Sequence, residues 1–310
     1  MKTLAFVGIT AAILAAGAVT AIDYPEGRIT IKGLDDESNP VEGAEVGIGF
    51  QVMSKRYFGN EEIEVRGVGN ADGEFSGSAK GDSNLGFTVR KAGYYQTTGK
   101  YDFKEAIAGK WQPWNPTVEV VLRRVEKPIA MYAKKVDLAM PAFEVPVGFD
   151  LVIGDWVAPH GHGKTPDLVF TAHLQQRSKK DYDYELSVTF SNPEDGLQPF
   201  EAPRFYGSEL KSPRLAPENG YLPEWKQFRK RVPGKAEVSN VSESRNYLLR
   251  VRTVVDEKGK LVSALYGKIY GDFLRFTYYL NASPNDRNLE FDPKQSLYEG
   301  LRETERVKEP

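Results

Sequence analysis

Hydrophobic and polar residues alternate with a period of two along most of the chain. Arg28-Ile29-Thr30-Ile31-Lys32, Thr117-Val118-Glu119-Val120-Val121-Leu122 and Asp183-Tyr184-Glu185-Leu186-Ser187-Val188-Thr189-Phe190 are runs of this kind, rich in β-branched and aromatic side chains. Such alternation predicts strands with one face on a core and one in water, because successive side chains of an extended chain point to opposite faces. Turn-forming clusters recur at short intervals, at Asp35-Asp36, Asn70-Ala71-Asp72-Gly73, Gly81-Asp82, Lys91-Ala92-Gly93 and Asp256-Glu257-Lys258-Gly259. Strands punctuated that closely predict an all-β chain of antiparallel sandwiches, since a crossover helix between parallel strands needs more residues. Tyr247–Val255 and Leu261–Ile269 read as a hairpin about Gly259, with Phe273–Leu280 as the next strand of a meander. One short helix is predicted over Asp102–Gly109, with Asp102 as N-cap, Glu105 as its reciprocal partner and Gly109 as the stop.

The alternating pattern breaks at Val125-Glu126-Lys127-Pro128, and a new strand pattern begins at Ile129. This predicts two antiparallel sandwich-type domains, residues 22–126 and 127–298, each of domain size. Residues 299–310 carry both signs of charge and little that is apolar after Leu301, the pattern of a charged tail that frays. At the other end, Lys2, an apolar run from Leu4 to Ala18 and small residues up to Ala21 predict a cleaved secretory signal over residues 1–21. The expected product is exported from a bacterial cell and is periplasmic, outer-surface or secreted. No later stretch is long and apolar enough to predict a membrane span.

Composition narrows the chemistry. The 310 residues are 40% hydrophobic and 27% charged, which is globular and excludes disordered and collagen-like classes. The formal charge is -2, and loss of residues 1–21 removes Lys2 and leaves 40 basic against 43 acidic side chains. A balance so close to neutral argues against nucleic acid as a partner. Cysteine is absent, which excludes disulfides, a thiol nucleophile and Cys-ligated zinc. The three histidines are His160, His162 and His173, so conventional histidine chemistry is confined to one short stretch.

Five blocks in the first half occur in a familiar order: Gly27–Gly33, Asn39–Val46, Asn70–Phe75, Val89–Tyr94 and Val118–Leu122. Together they resemble the carboxypeptidase regulatory-like domain, a prealbumin-like (transthyretin-like) sandwich, over roughly residues 27–125. The resemblance implies a non-catalytic module of the kind that accompanies peptidases, outer-membrane receptors and surface proteins, with similar sandwiches binding polysaccharide. The insertion Met53–Glu64, containing Lys55-Arg56-Tyr57-Phe58, and the loop at Trp111 depart from the compact pattern and are expected places for a ligand. The remainder of the chain resembles no family.

Candidate chemistry then falls to a few stretches. Ala158-Pro-His-Gly-His-Gly-Lys-Thr165 has the spacing of a relaxed phosphate loop, but Pro166 and a strand follow where the helix of a working loop belongs. His160 and His162, one residue apart on an extended segment, could share a zinc ion with His173, and Asp155 or Asp167 could complete the set. The plainer reading is a Gly- and Pro-rich loop with two solvated histidines. Asn281–Pro293 gathers short oxygen side chains that could hold calcium, but lacks the spacing of a calcium loop, and Asn and Asp before Pro ordinarily make turns. Lys226-Gln-Phe-Arg-Lys-Arg231 is the one dense basic run, suited to an acidic polysaccharide or to plain solvation.

The aromatics point elsewhere. Trp111, Trp114 and Trp225 lie in loop-like, Pro-containing contexts, where indole rings can stack on sugars or else pin loops to a core. The leading expectation is a non-catalytic binding or structural protein of the cell envelope, with polysaccharide or another envelope protein as partner and no cofactor. Two alternatives stand beside it: a metal-dependent hydrolase built on the three histidines, and a scaffold that pairs through sheet edges.

Overall fold

The computed structural model describes residues 23–53, 60–137 and 139–310, so the predicted signal segment and Lys55–Phe58 lie outside the described residues. The first half supplies β1 (Glu26–Leu34), β2 (Glu45–Met53), β3 (Asn60–Val68), β4 (Glu74–Lys80), β5 (Asn84–Arg90), β6 (Thr97–Asp102), β7 (Glu105–Ile107), β8 (Lys110–Gln112) and β9 (Thr117–Val121). One sheet runs β4-β1-β8-β7 with β9 also on β1, and the opposing sheet contains β6-β5-β2-β3. The alternation seen in the sequence places Ile29 and Ile31 of β1 against Val46, Ile48 and Phe50 of β2 and Leu85, Phe87 and Val89 of β5, all buried. This is the two-sheet sandwich that the resemblance implies. Asp72-Gly73 makes the predicted turn into β4: Gly73 has φ 74° and a Cβ there would lie 2.5 Å from the Gly33 carbonyl oxygen. Only glycine meets both conditions.

The predicted helix over 102–109 does not form. Asp102 ends β6, Phe103 is buried in the core, and β7 and β8 make a hairpin through Ala108 and Gly109, whose φ angles are 50° and 75°. Two successive positive φ values mark the hairpin turn that matches strand twist. Eight residues are too few for helix formation to repay its costly nucleus, whereas the hairpin hydrogen-bonds onto β1 and delivers Trp111 to the core.

The second half supplies β10 (Ile129–Asp137), β11 (Val147–Asp150), β12 (Asp155–Trp156), β13 (Leu168–Ser178), β14 (Asp181–Thr189), β15 (Gly196–Glu201), β16 (Gly207–Ser208), β17 (Glu224–Arg231), β18 (Val238–Ser239), β19 (Arg245–Val255), β20 (Leu261–Asp272), β21 (Arg275–Asn281) and β22 (Phe291–Ser296). The predicted meander is present as β19-β20-β21 at the centre of a sheet ordered β15-β19-β20-β21-β10-β22. Its partner sheet is β12-β11-β13-β14-β17-β18. Phe170, Leu186, Val188, Tyr247, Leu249, Phe273 and Phe276 form the core between them.

The outer face of the β19–β21 sheet is covered too. The segment around Ala216 and the turn at Leu289 cover Leu248, Ala264 and Tyr266. The C-terminal stretch, expected to fray, instead lies on Met131, Ala133, Tyr279 and Phe291 through Val307, which is only 7% exposed. Glu305 holds it there by pairing with Lys134 at 3.2 Å and accepting from Arg302 at 2.9 Å, and its carboxyl is pulled down to about 2, first by the Arg302 hydrogen bond. One apolar side chain on an apolar face, with Glu305 paired and the Glu305 carbonyl accepting from the Lys135 amide at 2.8 Å, docks the tail.

The two sandwiches are joined by more than the linker. Strand β16, from the second half of the chain, pairs with β6 of the first sandwich and extends its sheet. Beside it Arg123 donates to the carbonyls of Leu210 and Ser212. The buried Glu290 accepts from Tyr95 Oη at 2.9 Å, from the linker amides of Glu126 and Lys127 at 2.9 and 2.7 Å, and from Arg214 at 3.2 Å. Arg214 also reaches Asp36 at 2.8 Å.

Candidate binding groove

The sequence-predicted site residues are dispersed. Trp111 is half-buried on the first core, stacks on Phe103 and donates its Nε1–H to the Gly81 carbonyl at 2.8 Å. Trp114 lies beneath Lys110, whose Nζ is 4.6 Å from the ring centroid. Trp225 is in the other sandwich, edge-on to Tyr247 at 5.4 Å and under Arg245 at 5.3 Å. The three indoles form no shared platform. Among the histidines, His160 is exposed, His162 is exposed with Nδ1 3.3 Å from Asp155, and His173 meets Glu144 at 2.5 Å. No three metal-ligating side chains converge among the described residues.

The loop with phosphate-loop spacing does cradle an anion, and the anion is the protein's own. Asp150 accepts from the amides of Lys164 and Thr165 at 2.9 Å each, and from Val152 and Ile153 at 2.9 and 3.0 Å. Arg252, at a bulge in β19 with φ 53°, reaches Asp150 at 3.0 Å and grips Asp167 through Nε at 2.8 Å and Nη2 at 2.9 Å. Burial works to raise the Asp150 carboxyl, but four amide donors outweigh it and hold it below the usual range. Burial wins at Asp167, which is raised despite Arg252. No predictive spacing in the sequence links Asp150, Asp167 and Arg252.

The oxygen-rich stretch after Asn281 is likewise self-satisfied. Asn281, Asp286 and Asn288 each accept from an amide two residues on, at 2.9, 3.0 and 3.0 Å, making turns, while the Asn281 amide donates to the Asp286 and Asn288 carbonyls at 3.0 and 3.1 Å.

A groove of about 320 Å³ opens where the second sandwich runs out of cover. Along β13 the inward positions Leu168, Phe170 and Ala172 are buried, and the next two, Leu174 and Gln176, emerge. Strand register sets Leu174 opposite Tyr184, and Tyr184 opposite Arg229, while Gln176 lies opposite Tyr182. These five residues form the floor. Met140 and Phe143 from the segment before β11, and Leu274 from the β20–β21 turn, form the rest of the wall.

The lining is apolar with few polar groups. Arg229 pairs with Asp272 at 2.8 Å, and Tyr182 donates to Glu237. Tyr184 differs: its hydroxyl is buried and has no hydrogen-bond partner, and burial pushes its pKa up to about 12. Gln227, one inward position deeper than Arg229 on β17 and opposite Leu186, is 2% exposed and its Nε2 also lacks a partner. Buried polar groups are ordinarily bonded, yet Trp225 Nε1, at the next inward position of β17, lacks a partner as well, so the unbonded atoms continue along the strand beyond the groove. The volume is at the small end of the range for ligand sites, about 300–1,000 Å³.

No protein-family model matches the chain, and neither does any curated protein. Among solved structures it is similar to a hydroxyquinol 1,2-dioxygenase from Pseudomonas putida, at 14% identity over 34% of this chain and 59% of that one, with a TM-score of 0.26. It is also similar to the shaft pilin SpaA of Lactobacillus rhamnosus GG, at 11% identity over 87% of this chain and 95% of the pilin, TM-score 0.24. BcpA, the major pilin subunit of Bacillus cereus, matches at 12% identity over 88% and 97%, TM-score 0.24. The chain thus spans less than two thirds of the dioxygenase's length. At these scores the likenesses carry no functional argument, and the sandwich architecture rests on the strand pairing itself.

The groove residues come from β13, β14, β17 and two loops, with no local motif to announce them. One signal was available. In Trp225-Lys-Gln-Phe-Arg229 the inward positions of an alternating strand include Gln227 and Arg229, polar residues where apolar ones belong. Read as a basic run, this strand hid that anomaly.

Proposed function

We propose that the protein is an exported, non-catalytic binding protein of the bacterial envelope that holds a saccharide ring in the groove of its second sandwich. The first sandwich, of carboxypeptidase regulatory-like type, acts as its support. The observation that carries the reading is the Tyr184 hydroxyl, unpaired and buried among the alkyl and aromatic walls formed by Leu174, Phe143, Met140 and Leu274. A sugar ring offers both what that wall needs, an apolar C–H face, and what the hydroxyl needs, a polar edge.

A glycan array followed by calorimetry tests the reading. Leu174→Arg, at a partly exposed position in the groove floor, is expected to abolish binding while leaving the unfolding midpoint nearly unchanged. Absence of binding to every glycan, or binding untouched by Leu174→Arg, would overturn it.

A further inference from the structure

We infer that residues Gly207–Ala216 are a strap that couples the two sandwiches only while the Lys268 amine beneath it is uncharged, so that proton uptake by Lys268 frees the strap and lets the sandwiches reorient. The strap is bonded to both sides of the joint. On the first sandwich, Gly207 and Ser208 pair with Thr98 and Thr97 of β6, the Leu210 and Ser212 carbonyls accept from Arg123, and Arg214 reaches Asp36 at 2.8 Å. On the second, the Ser212 amide donates to Tyr270 Oη at 3.1 Å, and the Arg214 carbonyl accepts from the Leu289 amide at 2.8 Å.

Lys268, on the outer face of β20, is 0% exposed. An ammonium has three hydrogens to place, yet its one polar partner is the Ser212 hydroxyl at 3.4 Å, and Lys268 is in no ion pair among the described residues. Across the register it meets Leu248 of β19 and Tyr279 of β21, and along β20 its same-face neighbours are Tyr266 and Tyr270. The Tyr279 and Tyr270 ring centroids, at 4.6 and 5.1 Å, are what a charge there would rely on. From the strap, Lys211 lies over the other aromatic neighbour, 5.9 Å from the Tyr270 centroid. From the first sandwich, Arg123 repels a charge on Lys268 and is itself paired with Asp36 at 3.5 Å. Glu290 attracts one, but its oxygens already accept from Tyr95, two linker amides and Arg214. Burial and the Arg123 charge therefore favour the neutral amine.

Ladder bonds hold β20 on both sides, so the strap is the cover that yields when Lys268 gains a proton. Lifting Ser212 lets water reach the ammonium and takes from Arg123 both of its carbonyl acceptors on the strap. The open joint binds one proton more than the closed one, so falling pH favours opening.

The chain has no cysteine, so Asp72→Cys and Lys258→Cys, in exposed turns of the first and second sandwich, give a specific pair of dye sites in the full chain. Single-molecule energy transfer is expected to show one narrow population above the ordinary lysine value of 10.5 and a broad one below a midpoint lower than that, while near-ultraviolet circular dichroism still reports folded sandwiches. Lys268→Met is expected to lose the transition and stay narrow. Lys268→Arg, which keeps its charge, is expected to be broad throughout. A wild-type population that stays narrow at every pH at which the chain is folded overturns the inference, as does a narrow population in folded Lys268→Arg. A transition that Lys268→Met retains at the same pH also overturns it and assigns the opening to carboxylates such as Glu290. If Lys268→Arg does not fold, Lys268→Met alone decides.

Discussion

Two groups of buried polar residues in the second sandwich are treated in opposite ways. At the β11–β13 loop, Asp150 accepts four amide bonds and an arginine, and Asp167 takes two more bonds from the same guanidinium. At the groove the Tyr184 hydroxyl is buried and left unbonded, and Gln227 Nε2 is unbonded one inward position deeper. The saturated cluster holds a loop in place and has nothing left to offer a ligand. The unsaturated pair adds no hydrogen bond to the fold through those atoms. Satisfaction, more than the mere presence of charge, separates structural polar clusters from sites, since an unmet buried donor costs about 1–3 kcal/mol until something meets it.

Breaking the saturated side has the largest expected effect. Asp150→Ala leaves four amides without their acceptor and Arg252 with Asp167 alone, and is expected to cost about 3–5 kcal/mol in a denaturant titration, with saccharide binding unchanged in the fraction that stays folded. Because the folded-state pKa of Asp150 is below its ordinary 3.8, its contribution is full at pH values above 3.8 and is lost as pH falls through the folded value. Asp150→Asn is therefore expected to flatten that part of the acid-unfolding profile.

Lys268 stands between the two cases. It is fully buried on the outer face of the β19–β21 sheet, with the Ser212 hydroxyl at 3.4 Å and the Tyr279 ring centroid at 4.6 Å. Burial, and then repulsion from Arg123, pushes its pKa well below 10.5. The unfolded chain holds the proton more tightly, so stability rises with pH between the folded value and 10.5 and is level above it. Lys268→Met is expected to abolish that rise and to add about 1–4 kcal/mol at neutral pH, measured by the same titration.

The smallest effect is expected at the groove. Tyr184→Phe removes an unpaired hydroxyl and is expected to change stability by about 1 kcal/mol or less, in the stabilising direction. A loss as large as that of Asp150→Ala would show that Tyr184 belongs with the saturated cluster and would collapse the distinction.

How much of this was legible in the sequence follows from the range of each interaction. Strand alternation and Gly259 are local, and they announced the β19–β20 hairpin and its neighbour. The segment 102–109 satisfied every local rule for a helix, yet pairing with β1 and the burial of Phe103 overruled them, because short elements take their conformation from tertiary contacts. Trp111, Trp114 and Trp225 were visible as residues, but their separation in space was not. Leu174, Tyr184 and Arg229 are adjacent only through the β13-β14-β17 register, a relation that no spacing along the chain encodes.

The linker between the sandwiches carries a last consequence. Val125–Pro128 has the composition of a hinge, but Glu290 holds the amides of Glu126 and Lys127, and β16 is hydrogen-bonded into the neighbouring sheet. A joint fixed on both sides transmits orientation. A partner that gripped the first sandwich would therefore aim the proposed groove of the second, and a ligand held there would pull on that anchor point in a set direction.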